Sequence, residues 1–116
     1  MKVLPVGDHV VEAIKPSTLA RLEAHLRDDL RIALTVIQYA ETMAQLMSFR
    51  GTTLTRIADS DTSDFHYGTA ATGVVLRPID GQGTQLAVDH SRASLSTVFS
   101  VAILAVGQSL KEATTP

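Results

Sequence analysis

The stretch TLARLEAHLRDDLRIALTVIQYAETMAQLMSFR, residues 18–50, decides the predicted fold of this chain. Ser17 before it is a suitable N-cap, and Gly51 after it is a suitable C-terminal stop. Apolar side chains recur in it at steps of three and four residues, which is the spacing of one helical face. These side chains are Leu19, Leu22, Leu26, Leu30, Ala33, Ile37, Ala40, Ala44 and Met47. The pattern therefore predicts one continuous helix from Thr18 to Arg50.

The length of this predicted helix conflicts with the size of the chain. At 1.5 Å per residue it would be about 50 Å long. A compact chain of 116 residues is only roughly 35 Å across. From Ile32 to Phe49 the only formally charged residue is Glu41, so the second half of the helix is apolar on more than one face. We expect either a break in the helix or a partner that covers the overhang.

A β-hairpin is predicted beyond the middle of the chain. The β-rich runs 72–77 and 84–89 flank the turn residues Asp80, Gly81, Gln82 and Gly83. Two such runs around a glycine-containing turn are typical of a hairpin. An isolated hairpin is marginally stable in water, so it needs a third strand or a helix to pack against.

A second long helix is predicted from Ser91 to about Glu112, capped by Ser91 or Asp89. It carries no charged residue between Ala93 and Leu110. Residues 1–16 indicate a short strand or extended arm. Residues 51–69 are rich in Thr, Ser, Asp and Gly and predict a flexible acidic loop, with one turn of helix near 54–57.

The predicted fold class is α+β, in one domain spanning residues 1–116. It has two long helices, a β-hairpin and a possible third strand from the N-terminal arm. The apolar segments 32–49 and 93–110 should lie against each other. Their wide apolar faces favour a homo-oligomer, a dimer or higher assembly, whose interface is predicted to contain Leu34, Ile37, Ala40, Ala44, Met47, Val98, Ala102 and Ala105.

The composition excludes several classes of protein. The chain has no cysteine, which excludes disulfides, thiolate zinc sites and cysteine nucleophiles. A net charge of −2 gives no general attraction for nucleic acid. Glu41 and many neutral polar residues argue against a membrane span, and no signal-peptide pattern is visible at the N-terminus. We expect a cytoplasmic protein without cofactor, nucleic-acid partner or membrane partner.

One candidate site is an acidic cluster that resembles a metal-binding loop. Asp59, Asp61, Asp64 and His66 are close in sequence, and alternating carboxylates on a loop can converge on one cation. Compared with the calcium loop of the helix–loop–helix type, Asp64 stands where the turn needs glycine, and Ala70 stands where a bidentate glutamate belongs. The alternative is a solvated acidic loop with no ligand.

A second candidate site is an anion-binding position at the start of the predicted second helix. The free N–H groups of a helical first turn attract anions such as phosphate. The residues predicted to contribute are Arg77, His90, Ser91, Arg92 and Ser94. The alternative is a helix cap alone. A Ser–His–Asp hydrolase is not supported, because Ser91 lies in no G-x-S-x-G turn.

The favoured function is therefore that of a small, non-enzymatic, oligomeric binding or regulatory protein that acts through protein–protein contacts. One alternative is a small-anion or nucleotide-binding protein with its site at the start of the second helix. The other is a metal-dependent enzyme that uses the acidic cluster at 59–66.

Overall fold

The computed structural model describes residues 1–57 and 63–114. Its framework is a five-stranded mixed sheet in the order β1-β5-β4-β3-β2. β1 is parallel to β5, and every other neighbouring pair is antiparallel. The strands are β1 Lys2–Pro5, β2 Thr53–Arg56, β3 Phe65–Gly68, β4 Gly73–Ile79 and β5 Ser100–Val106.

One helix, α3, dominates the helical part of the structure. It spans Ala24–Tyr39 and packs on the sheet against β4, β3 and β1. The other helices have six residues or fewer. They are α1 Asp8–Ala13, α2 Pro16–Leu19, a 3₁₀ helix Met43–Ser48, α4 Arg92–Leu95 and α5 Leu110–Thr114.

The core lies between the sheet and the inner face of α3. Leu30, Ala33 and Ile37 point from α3 towards the sheet and are buried. They belong to one hydrophobic cluster with β-strand residues such as Phe65 and Tyr67. This helical face was visible in the sequence as the apolar stripe at steps of three and four. Because α3 has 16 residues, it is about 24 Å long and fits within the 36 Å long axis of the protein.

The prediction of one helix from Thr18 to Arg50 is wrong. The chain has extended backbone at Glu23 and again at Ala40, so α3 is separated from α2 and from the 3₁₀ helix. After the second break, the N–H of Met43 donates a hydrogen bond of 3.0 Å to the carbonyl of Val98. The turn lets Met43, Ala44 and Leu46 enter the core. Tertiary packing has overridden helix propensity, which is a weak determinant of structure.

The predicted second long helix is also wrong. Only α4, with four residues, is helical near its start, and β5 occupies the centre of the segment. Residues 100–103 of β5 are buried, so side chains on both faces of this central strand are covered. Strands buried on both faces show no alternation of polar and apolar residues, so their pattern resembles that of a buried helix. The fold is therefore a five-stranded mixed sheet with one long helix, not two long helices and a hairpin.

The predicted hairpin and loop are corrected as well. Residues 73–79 do form β4, and Asp80 Oδ1 accepts hydrogen bonds from the N–H groups of Gln82 and Thr84 at the predicted turn. Residues 84–89, however, form no strand, only a bridge between Ile79 and Gln85. The N-terminal arm does form a strand, β1, but it pairs with β5.

The segment 51–69, predicted to be a loop, contains two strands of the sheet. β2 replaces the predicted helical turn near 54–57, and β3 follows it. Both strands have only four residues, and their Thr, His and Gly content resembles that of a loop. Within the part of the chain that the structure describes, no helix is both long enough and apolar enough to cross a membrane.

Candidate binding surface

A groove runs along the outer face of α3, on the side away from the sheet. It encloses about 510 Å³ between the second half of α3 and the segment that contains the 3₁₀ helix. This volume lies within the range of about 300–1,000 Å³ that is typical of ligand sites. The groove, called the α3 groove below, is lined by Arg31, Ile32, Thr35, Val36, Tyr39, Ala40, Gln45 and Phe49.

Large apolar and aromatic side chains stand exposed around the α3 groove. Tyr39 is 78% exposed, Ile32 46% and Phe49 44%, whereas Ile37 on the inner face is 1% exposed. Single exposed apolar residues are common on proteins, but a contiguous set around a concave surface is typical of an interaction site. The second break in the helix creates this concavity, because it brings Gln45 and Phe49 back alongside α3.

The α3 groove also has side chains with polar groups in its lining, namely Arg31, Thr35, Tyr39 and Gln45. Gln45 Oε1 accepts a hydrogen bond of 2.7 Å from the N–H of Glu41, which fixes the Gln45 side chain at one end. Arg31 makes no ion pair or hydrogen bond with any residue in 1–57 or 63–114. The groove thus combines an apolar lining with a cation whose hydrogen-bonding groups are available to a partner.

A smaller cavity extends the α3 groove beyond Phe49. It has about 230 Å³ and shares Ile32 and Phe49 with the groove. Arg50 lies on its wall. The binding surface therefore continues past the aromatic ring of Phe49 towards the start of β2.

The residues predicted to form an oligomer interface lie mostly inside the chain's own core. Most are buried: Ile37, Ala40, Ala44, Val98 and Ala102. Three others are partly buried: Leu34, Met47 and Ala105. Ala40 also lines the α3 groove, and Leu34 and Ile37 line a separate cavity of about 450 Å³ beside β1. The opposite face of α3, in contrast, carries exposed apolar side chains around the α3 groove.

Arg77, predicted to bind an anion, is engaged by an internal carboxylate. Its Nε and Nη2 donate hydrogen bonds of 2.9 and 3.1 Å to the two carboxylate oxygens of Asp64. This bidentate pair joins β4 to the residue preceding β3, and the Asp64 hydrogen bond raises the pKa of Arg77 above its ordinary value. The guanidinium therefore stabilises the sheet.

The other predicted anion-binding residues also make internal contacts. His90 Nε2 donates to the Leu54 carbonyl at 2.8 Å, and its ring stacks on Phe65. Arg92 Nη2 donates to Ser48 Oγ at 3.0 Å. The predicted cap is present: Ser91 Oγ accepts from the N–H of Ser94 at 3.1 Å.

Asp89 completes this cap. Its Oδ1 accepts a hydrogen bond of 3.1 Å from the N–H of Ser91. Hydrogen bonds from Ser91 and Ser94 hold the pKa of the Asp89 carboxyl below its usual range. The helix that follows has only four residues, so the cap closes a short turn.

Of the four residues predicted to bind a metal, the structure describes Asp64 and His66. Asp59 and Asp61 lie outside the described residues. Asp64 binds Arg77, whereas the buried His66 donates through Nε2 to the carbonyl of Gln108 at 2.9 Å. Over residues 1–57 and 63–114, no group of three acidic, His or Cys side chains could hold a metal ion.

His66 has a clear structural role on the face of the sheet opposite α3. Its hydrogen bond to Gln108 ties the residues before α5 to β3. The ring rests on Gly73 of the neighbouring strand, where a Cβ atom would lie 2.8 Å from two ring atoms. The site therefore requires glycine at position 73.

Comparisons with protein-family models, with curated proteins and with solved structures find no match for this chain. Its function must therefore be argued from its own surface.

The exposed residues of the α3 groove were not among the site or interface residues predicted from the sequence. A signal for them was present, since the segment from Ile32 to Phe49 is apolar on more than one helical face. Ile32, Thr35 and Tyr39 form a second row at steps of three and four, offset from the inner row. Without the positions of the breaks in the helix, the sequence did not reveal which row would face the sheet.

Proposed function

We propose that this protein is a non-enzymatic binding protein that acts through protein–protein contacts made by the α3 groove. The observation that carries the proposal is the exposure of Ile32, Tyr39 and Phe49 around a cavity of about 510 Å³. Complete burial of a large apolar side chain contributes about 1.5–3 kcal/mol, and the exposed fractions of these three side chains leave part of that contribution unrealised. A protein partner that covers them would recover much of that free energy.

The chemistry of the lining supports a protein partner. Aromatic residues and arginine are enriched where protein interfaces gain most of their binding energy. The α3 groove offers Tyr39, Phe49 and Arg31 within one surface. The α3 groove is open along the length of α3, so it can accommodate an elongated element such as a helix. Amphipathic helices bind in apolar grooves through residues spaced three and four apart.

The polar side chains elsewhere favour binding over catalysis. In the described residues, every buried side-chain nitrogen or oxygen atom has a hydrogen-bond partner. Arg77, His66 and His90 are all occupied by internal acceptors. The α3 groove itself is lined by no histidine or carboxylate, which are the side chains that most often act as general acids and bases, although Asp29 lines the smaller adjoining cavity.

Site-specific photocross-linking in the host cell tests the proposal. p-Benzoylphenylalanine replaces Tyr39, whose ring is exposed at the α3 groove. The control carries the same group in place of Gln82, which is exposed in the turn after β4. We expect a discrete protein adduct after irradiation at position 39 and none at position 82.

A second variant tests whether formation of the adduct at position 39 depends on the α3 groove. Ile32→Ser removes an apolar wall of the groove without disturbing the core, so the adduct at position 39 should weaken strongly. Circular dichroism would verify that the variant is folded. Equal adducts at positions 39 and 82, or an adduct that survives Ile32→Ser unchanged, would contradict the proposal.

A further inference from the structure

We propose that the outer edge of β1 is a second binding surface, which takes up an extended peptide segment of another protein as a further strand of the sheet. This surface lies at the edge of the sheet and binds through backbone groups, so it is independent of the α3 groove. Two observations carry the proposal. The edge has unpaired backbone donors and acceptors, and a cavity of about 450 Å³ lies beside it.

The hydrogen bonds of β1 leave one side of the strand unpaired. The N–H groups of Lys2 and Val6 donate hydrogen bonds of 3.0 Å to carbonyls on the β5 side. Alternate residues of a strand bond to the same neighbour, so the N–H of Val3 and the carbonyls of Val3 and Pro5 point away from β5. β1 is an edge strand, and among the described residues nothing else bonds to these groups. Such a row of backbone groups is a template for a further strand.

The cavity beside β1 lies on the α3 side of the sheet. It is lined by Val3 and Pro5 of β1, by Leu34 and Gln38 of α3, and by Ile14 after α1. Successive side chains of a strand point to opposite faces of the sheet. Every second side chain of an added strand would therefore project towards this cavity, whose volume is within the range of about 300–1,000 Å³ that is typical of ligand sites.

The other face of β1 is also apolar and exposed. Leu4 is 45% exposed and Val6 is 41% exposed. Lys2 and Leu4 line a cavity of about 200 Å³ together with Ile79 and the turn that follows β4. An added strand therefore meets apolar side chains on both faces of the sheet. Strand addition of this kind takes its affinity from main-chain hydrogen bonds and its specificity from side-chain pockets.

The opposite edge of the sheet is covered by contrast. At β2, the carbonyl of Leu54 accepts a hydrogen bond of 2.8 Å from His90 Nε2. The 3₁₀ helix Met43–Ser48 also contacts β2. Covering an edge strand is one way in which proteins prevent pairing with other chains. Of the two edges, that of β1 is therefore the one available to a further strand.

Pro5 limits the length of the segment that β1 can bind. Proline has no N–H group, so pairing along β1 is interrupted at this residue. Prolines on edge strands discourage continuous pairing between whole sheets. Because β1 has only four residues, the edge suits a short extended peptide segment better than the long edge strand of another sheet.

Selection from a phage library of random peptides of about eight residues, the length of an ordinary strand, tests the proposal. The purified full chain is attached through its C-terminus. We expect enrichment of peptides rich in apolar, β-forming residues. In NMR spectra of the full chain, the amide proton of Val3 should exchange rapidly with solvent. A synthetic copy of an enriched peptide should shift this amide resonance and slow its exchange.

Two matched changes test the backbone hydrogen bonds. Val3→Pro removes the N–H group at the edge and should weaken binding of the peptide at least about tenfold. Val3→Thr keeps the N–H group and a β-branched side chain, so it should bind within about threefold of the natural chain. Circular dichroism would verify that both variants are folded. N-methylation along the peptide, which leaves the chain itself unchanged, should abolish binding only at alternate residues, because alternate residues of a strand face β1.

The controls separate this edge from the α3 groove. Ile32→Ser should leave binding of the peptide unchanged. Enrichment of no peptide, an unaffected Val3 amide, or N-methylation effects without alternation would overturn the proposal. Peptides that shift the amides of Ile32 and Tyr39 instead would overturn it in favour of the α3 groove alone. Protection of the Val3 amide that increases with the concentration of the free chain would also overturn it, since a second copy would then occupy the edge.

Discussion

The two faces of α3 carry similar side chains in very different surroundings. On the inner face, Leu30 and Ile37 are each 1% exposed and belong to the core. On the outer face, Ile32 and Tyr39 are 46% and 78% exposed and line the α3 groove. The one long helix of the fold therefore presents apolar surface on two sides, and the sheet covers only one of them.

The comparison distinguishes apolar residues that form the core from apolar residues that stay exposed on the same helix. Burial of the inner residues contributes to the free energy of folding in every copy of the chain. The outer residues contribute little to folding, and we propose that they bind a protein partner. The same distinction applies to polar side chains, because Arg77 has an internal partner and Arg31 has none in the described residues.

The first prediction compares one isoleucine on each face of α3. Ile37→Ala should lower the free energy of unfolding by about 2–5 kcal/mol, because it leaves a cavity in the core. Ile32→Ala, the same change on the outer face, should cost less than about 1 kcal/mol. Urea denaturation of the two variants measures the difference. Equal losses would show that the outer face is part of the fold.

The second prediction compares two arginines. Arg77→Gln should lower the free energy of unfolding by about 1–3 kcal/mol, because it leaves the largely buried Asp64 carboxylate without its bidentate partner. Arg31→Gln should change the free energy of unfolding by about 0.5 kcal/mol or less. Urea denaturation is again suitable. A loss for Arg31→Gln as large as that for Arg77→Gln would reveal an internal role for Arg31.

The third prediction uses the two tyrosines of the chain. The hydroxyl of Tyr67 shares a hydrogen bond of 2.7 Å with Thr52 Oγ1 inside the protein. Tyr67→Phe should therefore lower the free energy of unfolding by about 1 kcal/mol at neutral pH. Tyr39→Phe removes an exposed hydroxyl and should cost about 0.5 kcal/mol or less. Thermal unfolding of both variants would detect the contrast.

The pH dependence of stability follows from the same tyrosine. Burial raises the pKa of Tyr67, and the hydrogen bond to Thr52 opposes this shift. Because the folded pKa is raised, the stabilising contribution is complete below the unfolded pKa of about 10 and is lost as the pH rises through the folded pKa. Tyr67→Phe should therefore flatten the alkaline loss of stability, which urea denaturation at a series of pH values would measure.

Part of the fold could be predicted from the sequence. The inner row of α3, including Leu30, Ala33 and Ile37, followed from helical spacing, and the arm at the N-terminus does form β1. The position of the breaks did not follow, since no glycine or proline lies between Thr18 and Arg50. Those breaks depend on long-range contacts such as the hydrogen bond from Met43 to Val98.

The error in the C-terminal half has a different cause. Val101 and Ile103 are β-branched, which favours a strand, but the segment lacked the alternation expected of a half-buried strand. Successive residues of β5 from 100 to 103 are buried, so side chains on both faces of the strand are covered there and the polar–apolar alternation is absent. Several predicted site residues are engaged by partners distant in sequence, such as Leu54 for His90, and the sequence did not indicate these contacts.

Photocross-linking at position 39, with and without Ile32→Ser, tests most directly the central claim that the outer face of α3 is a protein-binding surface. The account predicts a discrete protein adduct at position 39 that Ile32→Ser weakens strongly, and no adduct at position 82. No adduct at position 39, equal adducts at positions 39 and 82, or an adduct at position 39 that Ile32→Ser leaves unchanged would contradict the account.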